Sequence, residues 1–327
     1  MLRRSLASSL YRLGIVLVLA LPFSAGCGKT KTKLTEVAVP EAGVSMRYDL
    51  APGQEYAGHI KMRNTLPTPV GDVLTSIEFD VALVVSANAD ASGKLVRATI
   101  KGIALDVRLP EGVPAEAVGG LTPEAAAALD GMELRFNLSE RGEVSNEPEP
   151  PESAPLETKA IVGMIANALT SAFVRVPEQP VKDGESWDAK SKDDKATVKS
   201  ATHTGTLEGL GRNAAGEDIA QLVFVADIEA EQQGHAVKVH QDVKASFSTT
   251  GGYAVAIERT IKNEVVGQGT VLVEIEAAWK KGGKQAVEGA AAPSGEVQAI
   301  TDPCDPDYVG AEECPTAAPP AEAAPEG

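Results

Sequence analysis

Three stretches of this chain alternate apolar and polar side chains with a period of two, and that period limits what the chain can fold into. In the first, Ile77, Phe79, Val81, Leu83 and Val85 alternate with Glu78, Asp80, Ala82 and Val84. In the second, Val237, Val239, Val243, Ala245 and Phe247 alternate with Lys238, His240, Asp242, Lys244 and Ser246. In the third, Val271, Val273, Ile275, Ala277 and Trp279 take every second position. Successive side chains of a strand point to opposite faces, so each stretch predicts a strand with a dry face and a wetter one. Glycine-containing turns separate such runs, among them Ala91-Ser92-Gly93, Gly216-Glu217 and Gly251-Gly252. Long strands joined by short turns make an antiparallel meander that can face water on one side. The predicted fold class is therefore mainly β, a β-rich α+β chain whose long meander strands form one or two curved, half-barrel sheets.

The order of patterns divides the chain. Residues 44–144 read as an N-terminal β module, with strands over 46–50, 53–64, 73–88, 94–108 and 132–144. Thr122 as cap and Pro123 at the first helical position open a short helix within it. Residues 145–173 combine a Pro/Glu-rich linker with the clearest helix of the chain, at about 156–172. There Ile161, Met164, Ile165, Ala168, Leu169 and Ala172 make one apolar stripe, suited to lying across a sheet or filling a barrel mouth. Residues 174–283 read as a C-terminal β module with strands near 195–210, 217–232, 234–249, 252–266 and 268–280. Gly53-Gln54-Glu55-Tyr56 and Gly184-Glu185-Ser186-Trp187 open the two modules alike, which leaves an internal duplication and a coincidence of turn chemistry both open. Residues 284–327 are an acidic, Ala/Pro-rich tail predicted to be disordered.

The N-terminus carries an address. Arg3, Arg4 and Arg12 precede or adjoin an apolar run over 13–21, which is too short for a bilayer core that needs about 20 residues. A cationic start, a short apolar centre and small residues after it match a secretory signal over residues 1–26. Ser24-Ala25-Gly26-Cys27 resembles the lipobox of bacterial lipoproteins. The resemblance implies cleavage before Cys27, a diacylglyceryl group on its thiol and usually a further acyl chain on the freed amine. Two or more acyl chains anchor a protein stably without spanning the bilayer. The alternative is an ordinary signal cut near Ala25, with Cys27 an incidental thiol. Gly28 stands where the resemblance would place Asp for inner-membrane retention, so an outer-membrane anchor is expected, facing the periplasm or the cell surface. Residues 27–43 would be its flexible tether. A second likeness lies in residues 173–187, with Pro177, Pro180, Val181, Gly184 and Trp187, and in residues 48–56. Both resemble segments of a family of uncharacterised bacterial lipoproteins, which implies a location and a β-rich shape and carries no active site.

Composition narrows the functions further. A formal net charge of −16 repels nucleic acid and anionic surfaces, so no nucleic-acid role is expected. Cys304 and Cys314 are an even pair in an exported chain, where a disulfide closing a small loop is permitted. His59, His203, His235 and His240 form no metal-binding pattern, and no nucleophile motif stands in a strand–turn–helix context. Carboxylate pairs such as Glu78/Asp80 and Glu274/Glu276 arise from polar strand faces. No catalytic residue, metal ligand or cofactor is assigned. Trp187, Trp279, Phe79, Phe136, Phe224 and Phe247 are expected to pack the core or to line a cavity. The expected partners are the lipid bilayer through acylated Cys27, and either other envelope proteins or an apolar ligand. Three functions are open: a non-catalytic structural or interaction module, a carrier of an apolar ligand in a half-barrel cavity, and a hydrolytic enzyme. Substituting Cys27→Ser is expected to move the protein from the membrane to the soluble fraction on ultracentrifugation; unchanged membrane fractionation would remove the anchor.

Overall fold

A computed structural model describes residues 34–90, 93–113, 121–146, 148, 155–189, 198–232, 235–265 and 269–284. Cys27, Cys304, Cys314, the signal segment and the tail after 284 lie outside the described residues. The described strands form one antiparallel, curved and unclosed sheet of twelve strands. In chain order they are β1 (Thr35–Val37), β2 (Gln54–Thr68), β3 (Gly71–Asp90), β4 (Gly93–Arg108), β5 (Glu133–Leu138), β6 (Val144–Ser145), β7 (Ser186–Asp188), β8 (Val198–Arg212), β9 (Asp218–Gln232), β10 (His235–Ser248), β11 (Tyr253–Val265) and β12 (Gly269–Lys284). Two helices, α1 (Pro123–Ala127) and α2 (Leu156–Thr170), accompany them.

The spatial order is β1-β8-β9-β10-β11-β12-β2-β3-β4-β5-β6, with β7 also on β8. The last long strand therefore pairs with the first, from Leu272↔Thr65 to Lys284↔Gln54. The two stretches read as modules in the sequence are two halves of one continuous sheet. The sheet ends in short pieces: β1 and β7 divide the outer edge of β8, and the two-residue β6 caps β5. Because β1 pairs Thr35 with Arg212 and Val37 with Leu210, the chain already joins the sheet within the stretch expected to be tether.

Alternation becomes a division between two faces. Across the concave face one row runs Gly205, Phe224, Val243, Arg259, Ile275, Met62, Ile77 and Leu105. Across the convex face another runs Lys244, Glu258, Glu276, Lys61 and Glu78. The concave face carries the core. Helix α2 buries Ile161, Val162, Ile165, Ala166, Ala168 and Leu169 against it, so the predicted apolar stripe seats the helix. Thr122 caps α1 by accepting a hydrogen bond from the Ala125 N–H at 3.2 Å, as its spacing implies.

Two predicted strands take other forms. Residues 46–50 bury Met46, Tyr48 and Leu50, yet their backbone lies outside any ladder. Tyr48 N donates to Glu140 O and Asp49 N to Gly252 O, so the alternation there marks burial beneath the sheet rather than membership of it. The stretch 132–144 is broken into β5 and β6 by a turn. Ser139 Oγ accepts from Arg141 N and Glu143 N, and Gly142 turns the chain at φ 83°.

Both tryptophans lie flat on a glycine of the neighbouring strand, Trp279 over its partner Gly58 and Trp187 over its partner Gly205. A methyl group at either glycine would overlap the indole. Gly58→Ala should lower stability by roughly 1–3 kcal/mol through overpacking. Gly163, exposed in the middle of α2 with open space around it, should gain about 0.5–1 kcal/mol on substitution by Ala. Urea denaturation of the two variants reads both signs.

Candidate functional site

Between the end of α2 and β7 the chain crosses the inside of the sheet as an extended segment, residues 172–178, that joins no ladder. A buried backbone needs partners, and here side chains supply them. Trp279 Nε1 donates to Ala172 O at 3.2 Å, Arg259 Nη2 to Phe173 O at 3.0 Å and Trp187 Nε1 to Arg175 O at 3.3 Å. Tyr48 serves Val174 twice, its hydroxyl donating to the carbonyl at 3.2 Å and accepting from the N–H at 3.1 Å. Val176 N donates to Arg141 O, and Arg47 Nη1 donates to Pro177 O. Burial pushes the Tyr48 phenol well above its ordinary pKa of 10, which keeps this donor protonated.

On the N-terminal side of the segment the concave face is filled. Phe173 stacks among Phe136, Tyr48 and Trp279 with ring centroids 5.6–6.1 Å apart, and Tyr48 meets Phe247 edge-on at 5.2 Å. The apolar space left beneath them is about 20 Å³, close to one water. Phe79, Phe136, Phe247 and Trp279 are core residues, as their inward positions implied.

On the other side the face is open. A cleft of about 370 Å³ lies between α2 and β8–β11, within the range of roughly 300–1,000 Å³ usual for small-ligand sites. Phe224, Ala226 and Val243 form an apolar floor with His203, Gln241 and Arg259 among them. Asn167, Thr170 and Ser171 from the end of α2 line the opposite wall, and Glu143 and Arg175 stand at one side. Arg175 Nη2 approaches Glu143 Oε1 to 2.7 Å, an ion pair by distance whose alignment leaves that oxygen without a hydrogen bond. Trp187 packs edge-on against Phe224 at 5.6 Å and supports the floor from beside it.

Arg259 is the unusual group. It holds an inward position between Val243 and Ile275, where its neighbours along the strand are Ile257 and Ile261. Among the described residues it has no acidic partner within ion-pair distance, and its Nε is buried without an acceptor. The residue as a whole is half-buried and contributes to the cleft lining, whereas its guanidinium lies deep enough for burial to lower its pKa below the ordinary arginine value, to about 10. Taking a cation out of water disfavours its charged form in this direction.

Of the aromatic residues singled out in the sequence Phe224 floors the cleft, whereas most of the histidines and carboxylates lie elsewhere. His59 and His240 are on the convex face, His59 beside Glu78 and Asp80, His240 between Asp227 at 2.7 Å and Asp242 at 3.1 Å. Glu78 is held below its ordinary pKa by a hydrogen bond from Lys61. Glu274 and Glu276 are exposed, and His235 is exposed at the start of β10. Only His203 of the four histidines borders the cleft. Among the described residues no group of three His, Cys, Asp or Glu side chains is arranged to hold a metal ion. Arg259, Gln241 and Glu143 went unread in the sequence. The one available signal was an arginine on the apolar face of a strand, between Ile257 and Ile261.

No protein-family model matches the chain, and no curated protein does. Among solved structures, one of lipid–protein interactions in lipovitellin aligns with a TM-score of 0.44 and 12% identity, covering 74% of this chain and 26% of that one. The chain thus spans about a quarter of the lipovitellin chain it matches. DynF, from the dynemicin biosynthesis pathway of Micromonospora chersina, aligns with a TM-score of 0.22 and 10% identity, covering 79% of this chain and 97% of that one.

Two measurements check the electrostatics. Tyr48→Phe should destabilise the fold by about 1–3 kcal/mol, because it strips a partner from both buried groups of Val174. The His240 pKa is raised above 6.5, first by its hydrogen bond to Asp227. The folded form thus binds this proton more tightly than the unfolded form. The small stability gained is complete below pH 6.5 and is lost as pH rises through the folded value. In NMR titrations, Asp227→Asn should bring the His240 midpoint back toward 6.5.

Proposed function

We propose that this chain is a non-catalytic, lipid-anchored binding protein of a bacterial envelope, which holds an apolar ligand in the cleft between α2 and β8–β11. One observation carries the reading: among the described residues, a ligand-sized space with an apolar floor of Phe224, Ala226 and Val243 opens on the concave face, beside the part that the chain's own segments fill. A purely structural role gives that opening nothing to do. The signal-like N-terminus and Cys27 support the anchor, and the pairing of β1 from residue 35 would hold the half-barrel within a few residues of the membrane surface. The polar groups of the cleft position a guest and perform no chemistry on it.

The test uses the protein lacking residues 1–27, purified and titrated with the neutral apolar fluorophore N-phenyl-1-naphthylamine. Saturable fluorescence enhancement is expected, together with co-purifying lipid in native mass spectrometry. Gln241→Trp, which fills the cleft from its floor, should weaken the fluorophore at least tenfold. Equal binding by the folded Gln241→Trp protein, or no saturable binding by the unmodified one, would overturn the reading.

A further inference from the structure

We propose that the cleft is specific for amphiphiles with an anionic head, and that the guanidinium of Arg259 receives that head. The inference rests on the binding role proposed for the cleft and adds the class of ligand.

The charge balance of the cleft argues for it. Three formally charged side chains line the space, Glu143, Arg175 and Arg259. Glu143 and Arg175 answer each other at 2.7 Å. Arg259 remains, a cation set in an apolar row between Val243 and Ile275, with one hydrogen bond to a neutral carbonyl and no anion beside it among the described residues. A buried charge left without a partner is unfavourable by several kcal/mol even after relaxation. A fold tolerates such a group when something else supplies the countercharge. Hydrogen bonding to Phe173 O explains one donor and leaves the rest of the fork, including the buried Nε, without acceptors. Arginine is also the side chain whose planar fork matches a carboxylate or phosphate best.

Direction of entry follows from the neighbouring row. One register step from Arg259 toward the start of β10, the concave face carries His203, Ala226, Gln241, Ile261 and Val273, and the next step carries Ile228, Val239, Asn263 and Val271. Ile228, Val239, Ile261 and Val271 are half-buried, where an alkyl chain would complete their cover. A head at Arg259 thus places a tail along a largely apolar strip, in which Gln241 and Asn263 are the polar members. The high negative charge of the whole chain opposes anions at long range, so the selection must come from this one desolvated contact.

The probes are dodecanoate, dodecyl phosphate, dodecanol and dodecyltrimethylammonium, each used to displace N-phenyl-1-naphthylamine from the protein lacking residues 1–27. Dodecanoate or dodecyl phosphate should displace it at concentrations at least tenfold lower than dodecanol, and the cationic amphiphile should be weakest. The order of the two anions tells carboxylate from phosphate heads. Arg259→Gln keeps a donor for Phe173 O and removes the charge. It should weaken the anions by about ten- to a hundredfold, at least tenfold more than it changes dodecanol, while Arg259→Lys retains the preference for anions. Equal affinity for dodecanoate and dodecanol in the unmodified protein would overturn the inference and leave the apolar cleft standing. So would an undiminished anion preference in folded Arg259→Gln. Failure of the fluorophore itself to bind belongs to the broader reading of the cleft. Should Arg259→Gln not fold, the comparison of dodecanoate with dodecanol in the unmodified protein still decides.

Discussion

Residues 172–178 cross the inside of a sheet without joining it, and the half-barrel depends on how that backbone is satisfied. Each unmet polar group in such a place is unfavourable by about 1–3 kcal/mol, whereas each hydrogen bond made returns about 0.5–1.5 kcal/mol net. The asymmetry makes the donors obligatory. They come from both halves of the chain: Arg47, Tyr48 and Arg141 from the N-terminal half, Trp187, Arg259 and Trp279 from the C-terminal one. The segment therefore ties the halves together from within, in addition to the β12–β2 ladder that joins them edge to edge. It also sets where α2 ends, and so where the cover of the concave face stops.

That stopping place decides which part of the face is core and which is cleft. Phe173 is drawn into an aromatic cluster on one side of the segment, and the space there closes to a volume near that of one water. On the other side the helix presents Asn167, Thr170 and Ser171, short polar side chains that leave the floor of β8–β11 uncovered. Arg259 lies at the border and takes part in both, holding Phe173 O in place while its remaining surface lines the opening. One residue thus connects the integrity of the fold with the chemistry of the site. The convex face, with its ladder of Lys244, Glu258, Glu276, Lys61 and Glu78, keeps the remaining charge in water.

Much of this was legible from period alone. The long strands, the turns between them, α1 with its Thr122 cap and the buried stripe of α2 all follow from local patterns of side chains. Two readings failed where the same local pattern has two physical causes. Met46, Tyr48 and Leu50 alternate because they are buried, and burial does not require a ladder partner. The stretch 132–144 is apolar enough for one strand, yet Ser139 and Gly142 have the chemistry of a turn. The cleft was out of reach for a different reason. His203, Phe224, Gln241 and Arg259 belong to four strands and become neighbours only through register, a long-range property set by the whole meander. Nothing in residues 172–178 announces that Trp187 and, from 107 positions away, Trp279 will serve their carbonyls.

An open sheet has two rims, and each rim is a row of unmet backbone groups able to add strands from another molecule. Here those rims are broken into fragments. The three-residue β1 and β7 occupy separate parts of the β8 edge, and the two-residue β6 covers only the end of β5. At those places the outermost described strand has two or three residues to offer a second copy. Proteins held on a membrane meet one another in two dimensions at high local density, where strand-to-strand growth would be fastest. For a half-barrel anchored as proposed above, such short rim strands would let copies crowd together and still remain separate molecules.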